Sequence, residues 1–207
     1  MKVVQPSSLT KLVRTNYTSL MKRRIRKILM ICSSYDAYIL EEDGQIEAQL
    51  YREYIELNIS NPPALTWVNS TEEAVSLLEK NPDFDLIISM FNIRDFDIFT
   101  QAKHIRERWS GIPIVMLTNF SKELFRKIET TDHSAIDHIF TWNGNADLIL
   151  AIVKLLEDKM NADDDILGSG VQAILLVEDS IRYYSTYLPA IYKLVLKQSA
   201  EFLKEAL

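Results

Sequence analysis

Glycine is scarce in this chain, five residues in 207, and that scarcity excludes a class of chemistry. Dinucleotide and P-loop sites need glycine-rich turns where backbone approaches phosphate. The one G-x-G here, Gly168-Ser169-Gly170, stands before an apolar run instead of after one. Cysteine is scarcer still: Cys32 is alone, so no internal disulfide can form and a reducing, cytoplasmic setting is the expectation. No apolar run approaches the roughly 20 residues that a membrane span requires, and MKVVQPSSLT has no apolar stretch of the kind a secretory signal needs. His104, His133 and His138 are scattered, with no carboxylate or cysteine partner at metal-ligand spacing, so no metal is expected there. The net charge of −6 argues against a general nucleic-acid binder, which needs a concentrated basic surface.

Acidic residues are missing from one whole segment. None precedes Asp36, whereas Lys2, Lys11, Arg14, Lys22, Arg23, Arg24, Arg26 and Lys27 are basic. An acid-free, Arg-rich, Ser-containing N-terminus has the composition of a transit peptide or a membrane-surface helix. Leu9, Leu12, Val13, Tyr17, Leu20 and Met21 nevertheless recur at helical spacing behind Ser7 or Ser8 and lead directly into a strand. Residues 1–24 are therefore read as a basic helix that packs on the fold or faces a partner.

What the chain does have is an ordinary globular balance, 47% hydrophobic and 25% charged, which suffices for one core of about 100–150 residues and the start of a second. Short apolar runs alternate with helical periodicity. RKILMICSS, LTWV at 65–68, DLIIS, IVMLT and IDHIFTW read as five strands. Between them lie a helix through Ile46, Leu50, Tyr54 and Leu57, a helix opened by Ser70-Thr71-Glu72-Glu73 and stopped at Asn81-Pro82, a loop and helix in IRDFDIFTQAKHIRERW, and a helix over roughly 121–130. NADLILAIVKLLEDKM supplies the last and most strongly amphipathic one. Parallel neighbours need crossover connections, so the pattern predicts an α/β fold, a doubly wound five-stranded parallel sheet. Ligands of such sheets sit outside the carboxyl ends of the strands. The residues there are Cys32 and Ser33, Met90, Thr118 and Trp142.

Over about residues 25–160 this arrangement resembles the receiver domain of two-component response regulators, a CheY-like, flavodoxin-like unit. KILMICS is similar to that family's first strand with its acidic pair, DLIISM to its third strand with the phosphoacceptor Asp, PIVMLT to its fourth strand ending in Thr, and DHIFTW to its fifth ending in Lys. The resemblance implies that Cys32 and Ser33 replace the acidic pair, Met90 the aspartate and Trp142 the lysine, while Thr118 and Asp97 keep the family's residue. Transfer of a phosphoryl group to a receiver aspartate needs Mg²⁺ held by oxygen ligands, and Met90 can neither accept phosphate nor hold magnesium. Asp36, Asp95 and Asp97 read as solvated turn or cap residues, and Cys32 as a small buried hydrophobe rather than a redox sensor. The implied function is a non-catalytic pseudo-receiver, a regulatory module without cofactor that docks on a neighbouring domain or protein partner.

MNADDDILGSG reads as an acidic, glycine-bearing linker over 161–170. Beyond it the chain repeats itself: Ile174-Leu175-Leu176-Val177 lies over Ile28-Leu29-Met30-Ile31, and Glu178-Asp179 over Cys32-Ser33. Residues 171–207 are accordingly expected to be the first strand and helix of a second, truncated receiver, with Glu178 and Asp179 as its Mg²⁺-binding start. The competing reading makes both residues helix N-terminal acids favoured by the dipole. RRIRKILMICSSYDAYILEEDG, LAIVKLLEDKMNADDDI and VQAILLVEDSIRYYSTYLPAIYKLV together resemble the N-terminal region of large bacterial phosphoenolpyruvate synthase-like proteins. That resemblance implies an alternative, a regulatory front end to an ATP-dependent phosphotransferase whose catalytic domains lie outside this chain. A phosphorelay protein with a functional second receiver is the other. A strand with only a helix after it cannot bury both faces, so a homodimer through 171–207 is also expected.

Overall fold

The structure is a computed structural model of the chain, and it describes residues 20–33, 46–91, 98–119, 126, 128–142, 144–168 and 170–205. The strands are β1 (Lys27–Ile31), β2 (Ala64–Val68), β3 (Leu86–Phe91), β4 (Ile114–Thr118) and β5 (His138–Thr141). The helices are α1 (Ile46–Glu56), α2 (Thr71–Lys80), α3 (Ile98–Arg108), α4 (Ala146–Asp163) and α5 (Ile181–Glu205). Every strand pair is parallel, in the order β2-β1-β3-β4-β5. This is the flavodoxin-like order, with its switch point between β1 and β3.

The apolar runs are continuous because both faces of the sheet are covered. On one face, Ile28, Met30, Leu86, Ile88, Leu117 and Phe140 pack with α1 and α4. On the other, Leu29, Ile87, Ile114 and Met116 meet Ala74 and Leu78 of α2 and Phe99, Ala102 and Ile105 of α3. Ile28, Leu29 and Met30 are all wholly buried, and each such burial is worth about 1.5–3 kcal/mol. Caps set the helix starts. The Ser70 side chain accepts from Glu73 N, and the Glu73 carboxylate accepts in return from Asn69 N at 2.9 Å. Asn145 caps α4 by accepting from Asp147 N.

Two expectations change after Met160. Helix α4 runs on to Asp163 and passes into a π-helical turn at Asp164–Gly168, so the stretch expected as a linker is helical almost throughout. A run of acids does not break a helix, and Asn161 is held in place by its own bonds to the chain at Arg23. Nor do residues 171–180, which include Ala173–Val177, form a strand. A strand needs a neighbour, and no strand of the sheet lies beside this one. The helix expected after it is present as α5, but it packs on β5 and α4. Leu188 is buried there, Tyr184 stacks on Phe140 at 5.7 Å, and the Tyr192 hydroxyl donates to Asp158 at 2.6 Å. The expected N-terminal helix falls on residues outside the described ones up to residue 19, and residues 20–26 are not helical.

Candidate functional site

At the carboxyl ends of the strands the structure brings together the residues that the sequence singled out. Ile31 pairs with Ser89 across the switch point, so Cys32 and Ser33 follow β1 beside Met90 of β3. Met90 pairs in turn with Leu117, and Thr118 with Thr141. Trp142 N donates to Thr118 O at 2.8 Å, which extends the ladder one residue past β5.

The chemistry of this edge is apolar. Cys32 is 3% exposed and Met90 8%; both belong to the cluster that packs under α1 and α4, and Trp142 lies against the same cluster. Thr118 is buried and its hydroxyl donates to Asn119 O at 3.1 Å. The Thr141 hydroxyl is buried with no hydrogen-bond partner. Among the described residues, no group of three His, Cys, Asp or Glu side chains is placed to hold a metal ion. The Mg²⁺ that the resemblance implies does not fit what stands here: a thiol at Cys32 and a thioether at Met90 offer soft sulfur to an ion that takes hard oxygen. Asp36, Asp95 and Asp97 lie outside the described residues.

Glu178 and Asp179 are far down the chain from this edge, just before α5. The Glu178 carboxylate accepts from Ser180 N at 3.0 Å, a local turn that leads the chain into the helix. In the described chain Glu178 has a helix-start role, and Asp179 is exposed.

The opposite edge holds the polar residues that the sequence reading passed over. Asp85 accepts from Arg26 N at 2.7 Å and Lys27 N at 3.0 Å. Asp137 accepts from Ile114 N at 2.7 Å and pairs with Arg106. Glu157 accepts from Ile25 N at 3.0 Å and, through its other oxygen, from Lys154 Nζ at 2.7 Å. The Lys154 and Glu157 side chains are 10% and 3% exposed, and Lys154 stands over the Tyr54 ring at 5.5 Å. Burial, with Glu157 nearby, drives the Tyr54 hydroxyl pKa upward, so it stays protonated. A readable signal existed: Asp85 and Asp137 each stand immediately before an apolar strand, in DLIIS and DHIFT. At the same edge His138 is held below its ordinary pKa, first by burial and then by the Lys159 charge.

No family model matches the chain, and no curated protein does. The solved structures to which it is similar are receiver domains. A CheY-like response regulator receiver domain protein from Methanospirillum hungatei is 16% identical, with a TM-score of 0.49, over 67% of this chain and 98% of that one. The signal receiver domain of an HD domain-containing protein from Pseudomonas fluorescens is 20% identical, with a TM-score of 0.48, over 69% and 94%. The response regulator TrrA from Thermotoga maritima, solved with Mg²⁺-BeF, is 20% identical, with a TM-score of 0.46, over 64% and 99%. The fold assignment stands on the strand order and the all-parallel pairing.

Proposed function

We propose that residues 25–160 are a receiver-type regulatory module in which phosphoacceptor chemistry has given way to packing, and that the module acts by binding a protein partner or a neighbouring domain. The observation that carries the reading is Met90. It ends β3 at the switch point, where the ligand of such a sheet sits, and it is 8% exposed within one apolar cluster with Cys32. A residue that faces the core cannot receive a group from solvent. Trp142 has no charge with which to neutralise a phosphate, and Thr118 directs its hydroxyl to Asn119 O. The module is therefore read as non-enzymatic. Among the described residues no helix is long and apolar enough to cross a membrane.

The internal repeat favours a second reading for the C-terminal part, in which 171–207 begins a further receiver and Glu178 and Asp179 belong to its Mg²⁺ site. The phosphoenolpyruvate synthase-like parent rests on the sequence resemblance alone. The test of the main reading is direct. The whole chain is incubated with Mg²⁺ and acetyl phosphate and its intact mass is measured. No added phosphoryl group is expected, and stoichiometric addition of one overturns the proposal.

A further inference from the structure

His138 opens β5 on the face that carries Phe140, since side chains two apart along a strand share a face. Its ring lies 6.0 Å from Phe140, and Phe140 is stacked on Tyr184 of α5 at 5.7 Å. A row of three rings thus runs from the start of the strand to the helix packed on it. Within that row the His138 Nε2 is buried with no hydrogen-bond partner among the described residues. A neutral imidazole is tolerable there. An imidazolium would bury an N–H without an acceptor and a charge without a counterion. Burial, and then the Lys159 charge from α4, hold the ring below its ordinary pKa, whereas Asp137 works the other way. Asp137 is itself engaged by Arg106 and Ile114 N. Helix α5 brings the phenols of Tyr184 and Tyr192, which burial keeps protonated and uncharged.

Helix α5 is lightly seated. Ser185, Leu188 and Pro189 are its buried residues among those described, whereas the shorter α4 buries eleven. Tyr184, Tyr192 and Leu196 lie partly buried against the core cluster, and the other ties are polar. Ser185 Oγ accepts from Thr141 N at 2.8 Å, Tyr192 donates to Asp158 at 2.6 Å, and Lys193 Nζ reaches Asp147 at 2.7 Å and Glu53 of α1 at 2.9 Å. Residues 171–180, which lead into the helix, form neither helix nor strand. An element with few buried contacts opens at a lower free energy than the core of the sheet. We infer that α5 is a strap whose seat on β5 and α4 is tied to acidity through His138: the neutral imidazole keeps it seated, and the imidazolium lifts it. Lifting uncovers the outer edge of β5, the last strand in the sheet order, where Thr141 N loses Ser185 and is open to another acceptor. Linkage fixes the direction. The seated state binds this proton less readily than the lifted one, so docking has full strength above pH 6.5, the ring's ordinary value, and weakens as pH falls below it. Asp158 titrates with the opposite sign: burial holds its carboxyl above the ordinary carboxylate range, so its protonation favours the seated state.

Hydrogen exchange on the full chain, corrected for the intrinsic pH dependence of exchange, tests the strap. Between about pH 7.5 and about pH 5.5 the protection of α5 is expected to fall by about threefold or more, while β1, β3 and β4 keep theirs. His138→Phe keeps a ring in the row and removes its nitrogens, and is expected to hold the protection of α5 constant over the same range. A nuclear magnetic resonance titration, with the His138 signal identified by its loss in His138→Phe, is expected to find this imidazole titrating below 6.5. The inference is overturned by an α5 whose protection does not change, or by a fall that the sheet shares equally. A fall that survives in His138→Phe, or a His138 that titrates at 6.5 or above, overturns it as well.

Discussion

Carboxylates accept from backbone N–H groups where strands begin, whereas none of the described residues that end β1, β3, β4 and β5 is acidic. At the amino end Asp85, Asp137 and Glu157 each accept from backbone N–H groups where strands begin. At the carboxyl end stand Cys32, Met90, Thr118, Thr141 and Trp142, none of them charged. The difference follows from what each end exposes. Strand starts leave N–H groups without ladder partners, and a carboxylate satisfies them at once. Strand ends leave carbonyl oxygens, beside which a buried carboxylate is repelled and must be held by a cation. Without that cation an apolar side chain is the more stable occupant. Acids at the strand starts thus satisfy open N–H groups, and an acid past a strand end, such as Glu73 beside Asn69 N, has the same use only where a helix begins.

The largest expected effect breaks the amino end. Glu157→Ala removes the partner of a buried lysine and leaves Ile25 N without an acceptor, and is expected to cost about 3–5 kcal/mol in urea unfolding. Asp85→Ala removes two charge-assisted bonds from a half-buried site, and a loss of about 1–3 kcal/mol is expected by the same measurement. The smallest effect sharpens the contrast from the other end. Thr141→Val keeps the shape of the side chain and deletes a hydroxyl that is buried without a partner. It is expected to leave stability unchanged or raise it by up to about 1 kcal/mol, and a loss larger than that from Thr141→Val would remove the distinction between the ends.

The strands were legible because each is a short β-branched or aliphatic run between breakers. RKILMICSS contains β1 and IVMLT coincides with β4. The start of α2 was legible from Ser70, whose side chain bonds the amide of Glu73, whereas the cap that Asn145 makes on α4 comes from the structure. The candidate site was legible as well, since strand order alone assigns Cys32, Met90 and Trp142 to one edge. The destination of α5 was not. Its periodicity shows that Tyr184 and Leu188 bury a face, but not against what, and the repeat pointed to a sheet of its own. A strand over 173–177 was misread for a related reason: β propensity is local, whereas a strand is a property of a pair. Lys154 and Glu157 were hidden because an i, i+3 pair inside an apolar helix has the same spacing whether it faces water or the core.

The bonds that fix the start of β1 come from distant parts of the chain. Ile25 is held by Glu157, 132 residues later, and Arg23 by Asn161, 138 residues later. β1 lies inside the sheet, between β2 and β3, and it precedes the other described strands in the chain. During translation it emerges long before α4, so its start lacks those acceptors until nearly the whole module has left the ribosome. Closing loops of that length slows the final step. A nascent chain ending before residue 157 exposes a central strand whose start is unsecured, which makes the last helix of the module the one that locks its first strand.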